Sequence, residues 1–212
     1  MFIRCLPLGP LETNAYIVAH EAGYDAIVID PGGPPDEILQ VLDDNGFRLK
    51  AIIVTHAHGD HIAGIPDLKQ ATGAPVWVHE ADAAMLTDPE ANLLAWTGME
   101  EVPTAPPDRV LRDGDAVVLD DESPGAVILR VVHTPGHSPG GISVIGDGFV
   151  FCGDTLFAGG IGRTDFPGGS ERQLMQSIRE KLLTLADDTI VYPGHGPETS
   201  IGHERKYNQY LM

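Results

Sequence analysis

Four side chains that can bind a metal ion fall within six consecutive residues of this chain, in the sequence HAHGDH at 56–61. His56 and His58 are two residues apart, so on an extended loop their imidazoles point the same way. Asp60 and His61 follow at the start of a predicted helix and face a neighbouring position. The apolar run AIIV precedes the motif and predicts a buried strand that leads into it. Chance produces such a pattern in about one chain in a thousand of this composition, so the motif favours a metal site over a solvated polar loop.

Three more side chains of the same kind lie at the ends of apolar segments in the second half of the chain. They are His137 in HTPGHSPGG, Asp154 after FVFCG and His195 after IVYPG. Each follows a glycine, which allows a close backbone approach and a positive φ angle and so helps to direct the next side chain into a shared pocket. Any one of them alone is more typical of an ordinary turn. Together with the first motif, they predict one coordination site assembled from four loops.

The segments between these motifs are predicted to be strands and helices. Short β-branched runs such as DAIVID, KAIIVT and FVFCG indicate strands in both halves of the chain. Helices are predicted at 34–46, at 61–73 with a kink at Pro66, at 170–186 and at about 202–211. Several strands in each half with helices outside them predict an α+β protein, a four-layer αβ/βα sandwich formed by one domain over 1–212, with the ligand loops at one edge.

The composition of the chain limits the kinds of partner that it is expected to bind. The chain has 31 acidic and 13 basic residues, for a formal net charge of −18, and a field of this sign repels nucleic acid and anionic membranes. No run approaches the roughly 18 apolar residues of a membrane span, and the start is predicted to be a strand and turn rather than a signal peptide. Two cysteines, Cys5 and Cys152, argue against a disulfide framework and fit a reducing compartment. We expect a cytoplasmic protein that acts on a small molecule; its oligomeric state stays open.

The ordered motifs THAHGDH, TPGHSPGG, GDTLF and YPGHG resemble those of the metallo-β-lactamase superfamily, and the resemblance covers about residues 10–200. Within that superfamily, GDTLFAGGIGRTDFPGG is most similar to the glyoxalase II-like (hydroxyacylglutathione hydrolase) branch, in particular to its short single-domain bacterial members. The resemblance implies the sandwich fold and a site for two divalent ions. It implies one ion held by His56, His58 and His137, a second held by Asp60, His61 and His195, and Asp154 bridging the two.

Imidazole and carboxylate ligands without a thiolate suit zinc, iron or manganese, and zinc is the first expectation. Two ions that share a water lower its pKa to about 7 and supply a bridging hydroxide at neutral pH. A thioester suits this nucleophile because its thiol leaving group has a pKa of about 8.5 and needs little help from a general acid. Asp60, which would orient the nucleophile, and Asp154 are the predicted catalytic residues. Two divalent ions bring about four positive charges, and Asp60, Asp154 and a bridging hydroxide bring about three negative ones. We therefore expect a locally positive pocket.

The resemblance further implies hydrolysis of S-lactoylglutathione to lactate and glutathione. Arg163 occupies the place of a basic residue that contacts glutathione in the family. The aromatic positions that help to hold glutathione there read Asp165 and Pro197 here, and no segment resembles the C-terminal helical domain of longer members. Arg205 and Lys206, in the last predicted helix, are candidates to replace its basic contacts, and a solvated helix face is the alternative for both. Thioester hydrolysis is therefore better supported than the glutathione moiety.

Three other functions stay open. A persulfide dioxygenase is the nearest, because that branch also carries GRTDF after its metal aspartate; it uses one iron bound by the equivalents of His56, His137 and Asp154, and its last motif usually differs from YPGHGPET. A lactonase or other ester hydrolase would use the same nucleophile. A non-catalytic metal-binding protein is the alternative outside enzymes.

Some neighbouring residues have both a structural and a functional interpretation. Asp30 in IDPGG is expected to cap a turn rather than bind metal. Asn14 and Tyr16 would either line the cleft or serve packing and turn formation. Residues 88–108, with Trp96, form either a surface loop or a lid, and the surface loop is favoured.

Overall fold

A computed structural model describes residues 1–20, 24–94, 105–120 and 126–212 of the protein. Within them, the strands form two six-stranded sheets and one small hairpin. In spatial order, the strands of the first sheet are β1 (Phe2–Leu8), β2 (Thr13–Ala19), β3 (Asp25–Ile29), β4 (Arg48–Val54), β5 (Val76–His79) and β6 (Arg109–Leu111). The first three strands pair antiparallel, and β3 to β6 pair parallel. The predicted lid or surface loop at 88–108 includes residues 95–104, with Trp96, which lie outside the described residues.

The second sheet is built from the second half of the chain. In spatial order, its strands are β14 (Thr199–Ser200), β13 (Ile190–Pro193), β10 (Phe149–Gly153), β9 (Ile142–Gly146), β8 (Val127–His133) and β7 (Ala116–Leu119). All neighbours are antiparallel except β10 and β13, which run parallel. The hairpin pairs β11 (Leu156–Phe157) with β12 (Gly160–Ile161) and directly follows β10.

The helices cover the outer faces of the two sheets. In chain order, they are α1 (Asp36–Asn45), α2 (Gly59–Ile62), α3 (Ile65–Thr72), α4 (Glu171–Ser177), which continues into a π turn at Ile178–Leu182, and α5 (Ile201–Tyr207). The apolar side chains of α1 and α3 pack on the first sheet, and those of α4 and α5 pack on the second sheet. This arrangement confirms the predicted α+β sandwich.

Alternating side chains of the strands explain the layers. In β3, Ala26 and Val28 face α1 and α3, whereas Ile27 and Ile29 face the second sheet, as the two-residue period of a strand requires. A second apolar cluster between the sheets joins these isoleucines to residues such as Phe151. Both faces of each sheet are therefore covered. Only the edges of the sheets are left free to hold polar loops.

Three helix predictions differ from the structure. The helix predicted at 170–186 ends earlier, at Leu182, and its last five residues form a π turn. The segment 61–73 contains a break rather than a kink: α2 ends at Ile62 and α3 begins at Ile65, with Pro66 in its first turn, where the missing N–H costs nothing. The last helix ends at Tyr207 rather than near 211, because Asn208 is extended and its side chain donates to Gly160 O and Glu204. Within the described residues, no helix is long and apolar enough to cross a membrane.

Candidate metal centre

All the ligand-bearing loops emerge at the same edge of the sandwich. The parallel strands β10 and β13 end side by side, so Asp154 and His195 follow at the same edge. The loop with His137 joins β8 to β9, and antiparallel pairing of β9 with β10 brings that loop to the same place. The HAHGDH loop follows β4 in the first sheet and is tied across by Ile142 N, which donates to Thr55 O at 2.8 Å. Four segments distant in sequence therefore meet.

The seven predicted ligands form three overlapping groups, and in each group the candidate ligand atoms lie within 4.8 Å of one another. The groups are His56, His58 and His137; His56, His61 and Asp154; and Asp60, His61 and His195. Asp154 stands between them: its Oδ1 is 3.4 Å from His61 Nε2, and its Oδ2 is 3.5 Å from His137 Nε2 and 3.7 Å from His195 Nε2.

Several of the candidate ligand atoms are buried without a hydrogen-bond partner in the described part of the chain, which favours a bound cation between them. Among the described residues, His56 Nε2, His61 Nε2 and Asp154 Oδ1 are buried without a hydrogen-bond partner, which is costly unless something else satisfies them. His58 Nδ1 lies 2.9 Å from His137 Nε2, and ligand nitrogens bound to one zinc ion at about 2.0–2.1 Å are separated by about 3 Å. The residues present therefore fit divalent ions.

Hydrogen bonds on the far side of the rings fix which nitrogen faces the centre. His137 Nδ1 donates to Arg163 O at 2.7 Å, and His195 Nδ1 donates to Leu11 O at 3.1 Å. A carbonyl oxygen can only accept, so Nδ1 carries a proton and Nε2 is the nitrogen that faces the centre. His61 is held in the same way, since its Nδ1 donates to Asp30 Oδ2 at 2.9 Å.

Asp30 is a support of the centre rather than a ligand. Besides His61, it accepts from Thr55 N at 2.7 Å and from Thr55 Oγ1 at 2.5 Å. It adopts a positive φ of 52°, a conformation that costs free energy for a residue other than glycine and persists only where contacts enforce it. The IDPGG motif predicted a turn cap here, and no local pattern indicated this contact with the HAHGDH loop.

Asp82 is a second support that the sequence analysis did not identify. Its side chain is fully buried and accepts from Ala57 N at 3.2 Å, from Ser138 Oγ at 2.8 Å and from Gly140 N at 2.5 Å. Ala57 lies between His56 and His58, and Ser138 follows His137. One carboxylate thus joins the two loops that supply the first group of ligands, although burial raises its pKa above the ordinary value.

The loop of His195 is braced by the first sheet. Asn14 Nδ2 donates to Pro193 O at 3.0 Å and to Gly196 O at 2.8 Å, and Tyr16 Oη donates to Pro193 O at 2.6 Å. The residue after Pro193 must be glycine, because a Cβ at Gly194 would lie 2.2 Å from Asp154 Oδ1. Asn14 and Tyr16 therefore hold this loop and are not among the residues that line the cavity.

The charges of the cluster also indicate a cation site. Burial lowers the pKa of His56 well below the usual value, and burial with a neighbouring imidazole lowers the pKa of His58 to about 3. Burial opposes a charge on His61 too, but Asp60, Asp154 and Asp30 raise its pKa well above the usual value. A proton on His61 is then the positive charge that the surrounding carboxylates require, and a metal ion replaces such a proton.

The same balance acts on the two carboxylates that face the cavity. Burial by itself would raise the pKa of Asp60 and that of Asp154, but the charge of His61 lowers both. Hydrogen bonds from His195 and Thr13 lower the pKa of Asp60 further. Both carboxylates are therefore ionised, which is the state in which they bind metal ions.

A cavity of about 820 Å³ opens over this cluster. Its floor consists of His58, Asp60, His137, Asp154 and His195. Its walls are apolar and include Leu11, Leu93, Phe157, Ile161 and Pro167. Its mouth consists of Arg163, Asp165 and Phe166. A volume of this size suits a small organic ligand.

The predicted substrate-binding cations occupy different places. Arg163 lies at the mouth, where its Nε and Nη2 each donate to Asp165 at 2.7 Å and its guanidinium stacks 4.0 Å from the centroid of Phe166. Arg205 donates to Leu183 O and Leu185 O and pairs with Asp187. Lys206 lies over the ring of Tyr207. Neither Arg205 nor Lys206 is among the described residues that line the cavity.

Comparisons with curated proteins give relatives of similar length. The chain is 38% identical over 211 residues to the probable metallo-hydrolase YqgX of Bacillus subtilis, covering 98% of this chain and 96% of that protein. It is 35% identical over 214 residues to the hydroxyacylglutathione hydrolase GloC of Haemophilus influenzae, covering 100% of this chain and 98% of that protein.

Several solved structures are also similar to this chain over its full length. The crystal structure of the BLEG-1 B3 metallo-beta-lactamase matches with a TM-score of 0.91 and 36% identity, covering all of both chains. TTHA1623 in a di-iron-bound form matches with a TM-score of 0.86 and 35% identity, again covering all of both chains. ETHE1 from Myxococcus xanthus matches with a TM-score of 0.80 and 30% identity, covering 100% of this chain and 84% of that chain. The sequence pattern of the Metallo-beta-lactamase superfamily matches residues 8–195, and the chain belongs to this superfamily.

Proposed function

We propose that this chain is a metal-dependent hydrolase that cleaves thioesters, with S-lactoylglutathione as the first candidate substrate. The observation that carries the proposal is the set of buried, unpartnered ligand atoms of His56, His61 and Asp154 directly beneath an 820 Å³ cavity. The likeness to GloC, a hydroxyacylglutathione hydrolase, supports the choice of substrate.

Seven side chains would hold two divalent ions, with zinc as the first candidate and iron or manganese as alternatives. His56, His58 and His137 would bind one ion, Asp60, His61 and His195 the other, and Asp154 both, since its two oxygens face histidines of different groups. When bound, such ions supply a Lewis acid and a water of lowered pKa. The di-iron form of TTHA1623 supports testing iron beside zinc.

Hydrolysis adds the oxygen of one water to the carbonyl carbon, breaks the carbon–sulfur bond and releases a carboxylate, a thiol and a proton. Asp60 is placed to orient the attacking water, because it is an ionised carboxylate on the floor and its Oδ2 accepts a hydrogen bond from Thr13 Oγ1 at 3.0 Å. A thiolate leaves without a strong acid, and the described floor contains imidazoles and carboxylates rather than a separate acid. The apolar walls limit access of bulk water.

A persulfide dioxygenase is the second candidate, and the likeness to the ETHE1 structure favours it. That activity is expected to use a single iron at His56, His137 and Asp154. Asp60, His61 and His195 approach one another as a further group of candidate ligands. This group favours the hydrolase, since a centre with one iron would leave it without a bound ion. A lactonase would need the same floor, and a substrate panel separates it from a thioesterase.

The proposal is tested by metal analysis together with substrate turnover. Purified protein loaded with zinc, iron or manganese is expected to bind two ions per chain and to hydrolyse S-lactoylglutathione. One iron per chain with oxygen uptake on a persulfide would replace the hydrolase by the dioxygenase. Faster turnover of lactones than of thioesters would instead assign a lactonase, and binding of metal without turnover of any of these substrates would assign a non-catalytic metal-binding protein.

A further inference from the structure

The mouth of the cavity is poor in available positive charge. The whole chain has 13 Lys and Arg residues, and of these only Arg163 is among the described residues that line the cavity. The three segments outside the described residues, EAG, AWTGMEEVPT and DESPG, contain no Lys or Arg. No other basic side chain is therefore available to complete an anion-binding mouth from those segments.

The one basic side chain is already neutralised. Arg163 makes two parallel hydrogen bonds to Asp165, each 2.7 Å long, which is the fork geometry that guanidinium and carboxylate groups prefer. Phe166 covers one face of the guanidinium at 4.0 Å. Arg163 also has a fixed backbone, because its carbonyl accepts from His137 Nδ1. A substrate carboxylate at the mouth would compete with Asp165 for this guanidinium and face the charge of Asp165 as well.

The thiol part of the substrate is the part that must lie at the mouth. The carbonyl carbon has to reach the floor, where the candidate ligands are, and a lactoyl group of three carbons fills little of an 820 Å³ cavity. The thiol part therefore extends along walls formed by residues such as Leu11, Phe157 and Ile161. Apolar walls bind uncharged groups and disfavour carboxylates that find no partner.

We infer that this chain hydrolyses thioesters of uncharged thiols in preference to thioesters of anionic thiols such as glutathione, whose two carboxylates outnumber its one ammonium, and that the Asp165 carboxylate sets this preference by occupying Arg163. The inference rests on the proposed thioester hydrolysis and changes the order of its candidate substrates: S-lactoylglutathione is still hydrolysed, but a neutral thioester is the better substrate. Any positive charge from bound metal lies at the floor, next to the acyl group, and does not compensate carboxylates at the mouth.

The test compares two thioesters that share the lactoyl group, S-lactoylglutathione and S-lactoyl-N-acetylcysteamine, on the metal-loaded protein. Because like charges brought together at a binding surface are strongly disfavoured, we expect kcat/KM to be about tenfold higher for the neutral thioester. Calorimetry with the unreactive thioethers S-methylglutathione and S-methyl-N-acetylcysteamine supplies a readout independent of turnover. The neutral thioether is expected to bind more tightly.

The variant D165N removes the competing carboxylate and frees Arg163. Since an exposed ion pair contributes only a small free energy, the ratio of kcat/KM for S-lactoylglutathione to that for the neutral thioester is expected to rise about threefold. The matched control is E80Q, which removes the carboxylate of another exposed pair, Glu80 with Arg112, outside the cavity lining. This control is expected to leave the ratio unchanged.

The two levels of the proposal fail in different ways. Equal or better turnover of S-lactoylglutathione, together with equal or tighter binding of S-methylglutathione, would overturn the inference and leave thioester hydrolysis intact. A ratio that does not respond to D165N would overturn the role of Asp165. Hydrolysis of neither thioester by protein that holds its metal would overturn the proposed function, and the inference with it.

Discussion

The floor and the mouth of the cavity differ in how strongly the protein determines each side chain. At the floor, His137 and His195 each donate to a backbone carbonyl, and behind the floor lie the fully buried Asp82 and the nearly buried Asp30. At the mouth, Arg163 and Asp165 are mostly exposed, at 57% and 68% of their side-chain surface, and hold mainly each other.

This difference has a physical reason. Buried polar groups must be satisfied, so a buried candidate ligand requires a partner behind it, and that partner requires partners in turn. Exposed groups exchange their contacts with water at little cost. Substitutions at or behind the floor are therefore expected to reduce metal binding and activity, whereas substitutions at the mouth are expected to change substrate preference.

The largest effect is expected for Asp154→Ala at the floor. Asp154 faces histidines of both ligand groups, so its removal is expected to release metal from both and to lower kcat/KM by more than about 100-fold, the upper value for supporting residues. Metal content by mass spectrometry and thioester turnover measure this. Retention of two ions per chain would remove the basis for the bridging role.

A smaller but still large effect is expected for Asp82→Asn behind the floor. The substitution keeps the shape but presents an amide to three donors, so we expect metal affinity to fall about 10–100-fold. Competition with a chelator measures the affinity, and Asp44→Asn on the exposed face of α1 is the control. An unchanged affinity would mean that the two ligand loops hold their positions without this carboxylate.

Asp25→Asn tests a buried charge that lies outside the cavity, and it is expected to affect stability rather than activity. Asp25 is buried and pairs with Arg48 and Lys50; burial opposes its charge, but these two cations lower its pKa below the usual value. Its contribution to stability is therefore complete above the pKa of an unfolded aspartate, about 3.9, and is lost as the pH falls through the lower folded pKa. We expect a loss of about 1–3 kcal/mol at neutral pH and a smaller difference from wild type in acid, by denaturant unfolding across pH, with kcat unchanged. A loss that grew as the pH fell would contradict the assignment.

At the mouth, Arg163→Ala is expected to act on substrate binding. The exposed pair with Asp165 contributes at most about 1 kcal/mol to stability, so the unfolding midpoint should change little. Without the guanidinium, Asp165 repels anionic substrates more strongly, and KM for S-lactoylglutathione should rise about threefold more than KM for the neutral thioester. Steady-state kinetics on both thioesters decide this; an equal rise would place Arg163 outside substrate selection.

The smallest effect is expected for Arg205→Ala. Its contacts with Leu183, Leu185 and Asp187 all lie just after the π turn that follows α4, away from the cavity lining. We expect a loss of about 1 kcal/mol or less in unfolding free energy and the same kinetics as wild type with both thioesters. A raised KM would restore the earlier expectation that this residue contacts substrate.

Local patterns predicted much of the fold. Short β-branched runs indicated strands such as β3 and β4, and the spacing of apolar residues indicated α1, which ends at Gly46 in a left-handed conformation. The boundaries of α3 and α5 were less predictable. They depend on Gly64, which contacts the backbone of Gly33 and Pro31, and on the bonds of Asn208 to a distant hairpin.

The site divides along the same line. HAHGDH is a local motif and could be identified from the sequence, and so could the three candidate ligands after strand ends, because each follows an apolar run and a glycine. Asp82 was not readable, because HEADAAML has no local feature that distinguishes a buried carboxylate from a solvated one. The fates of Arg163 and Arg205 were equally hidden, because pairing with Asp165 or Asp187 depends on how loops and helices pack.

The sequence by itself determined which residue types could bind metal, the order in which they occur, the layered fold and the acidic charge, because these follow from composition, periodicity and motifs read along the chain. Only the tertiary structure decided which carboxylates face the centre, which support it from behind and which cation remains at the mouth. Those outcomes depend on burial and on contacts between segments far apart in sequence, such as Asp82 with Ser138, and a linear pattern carries no record of either.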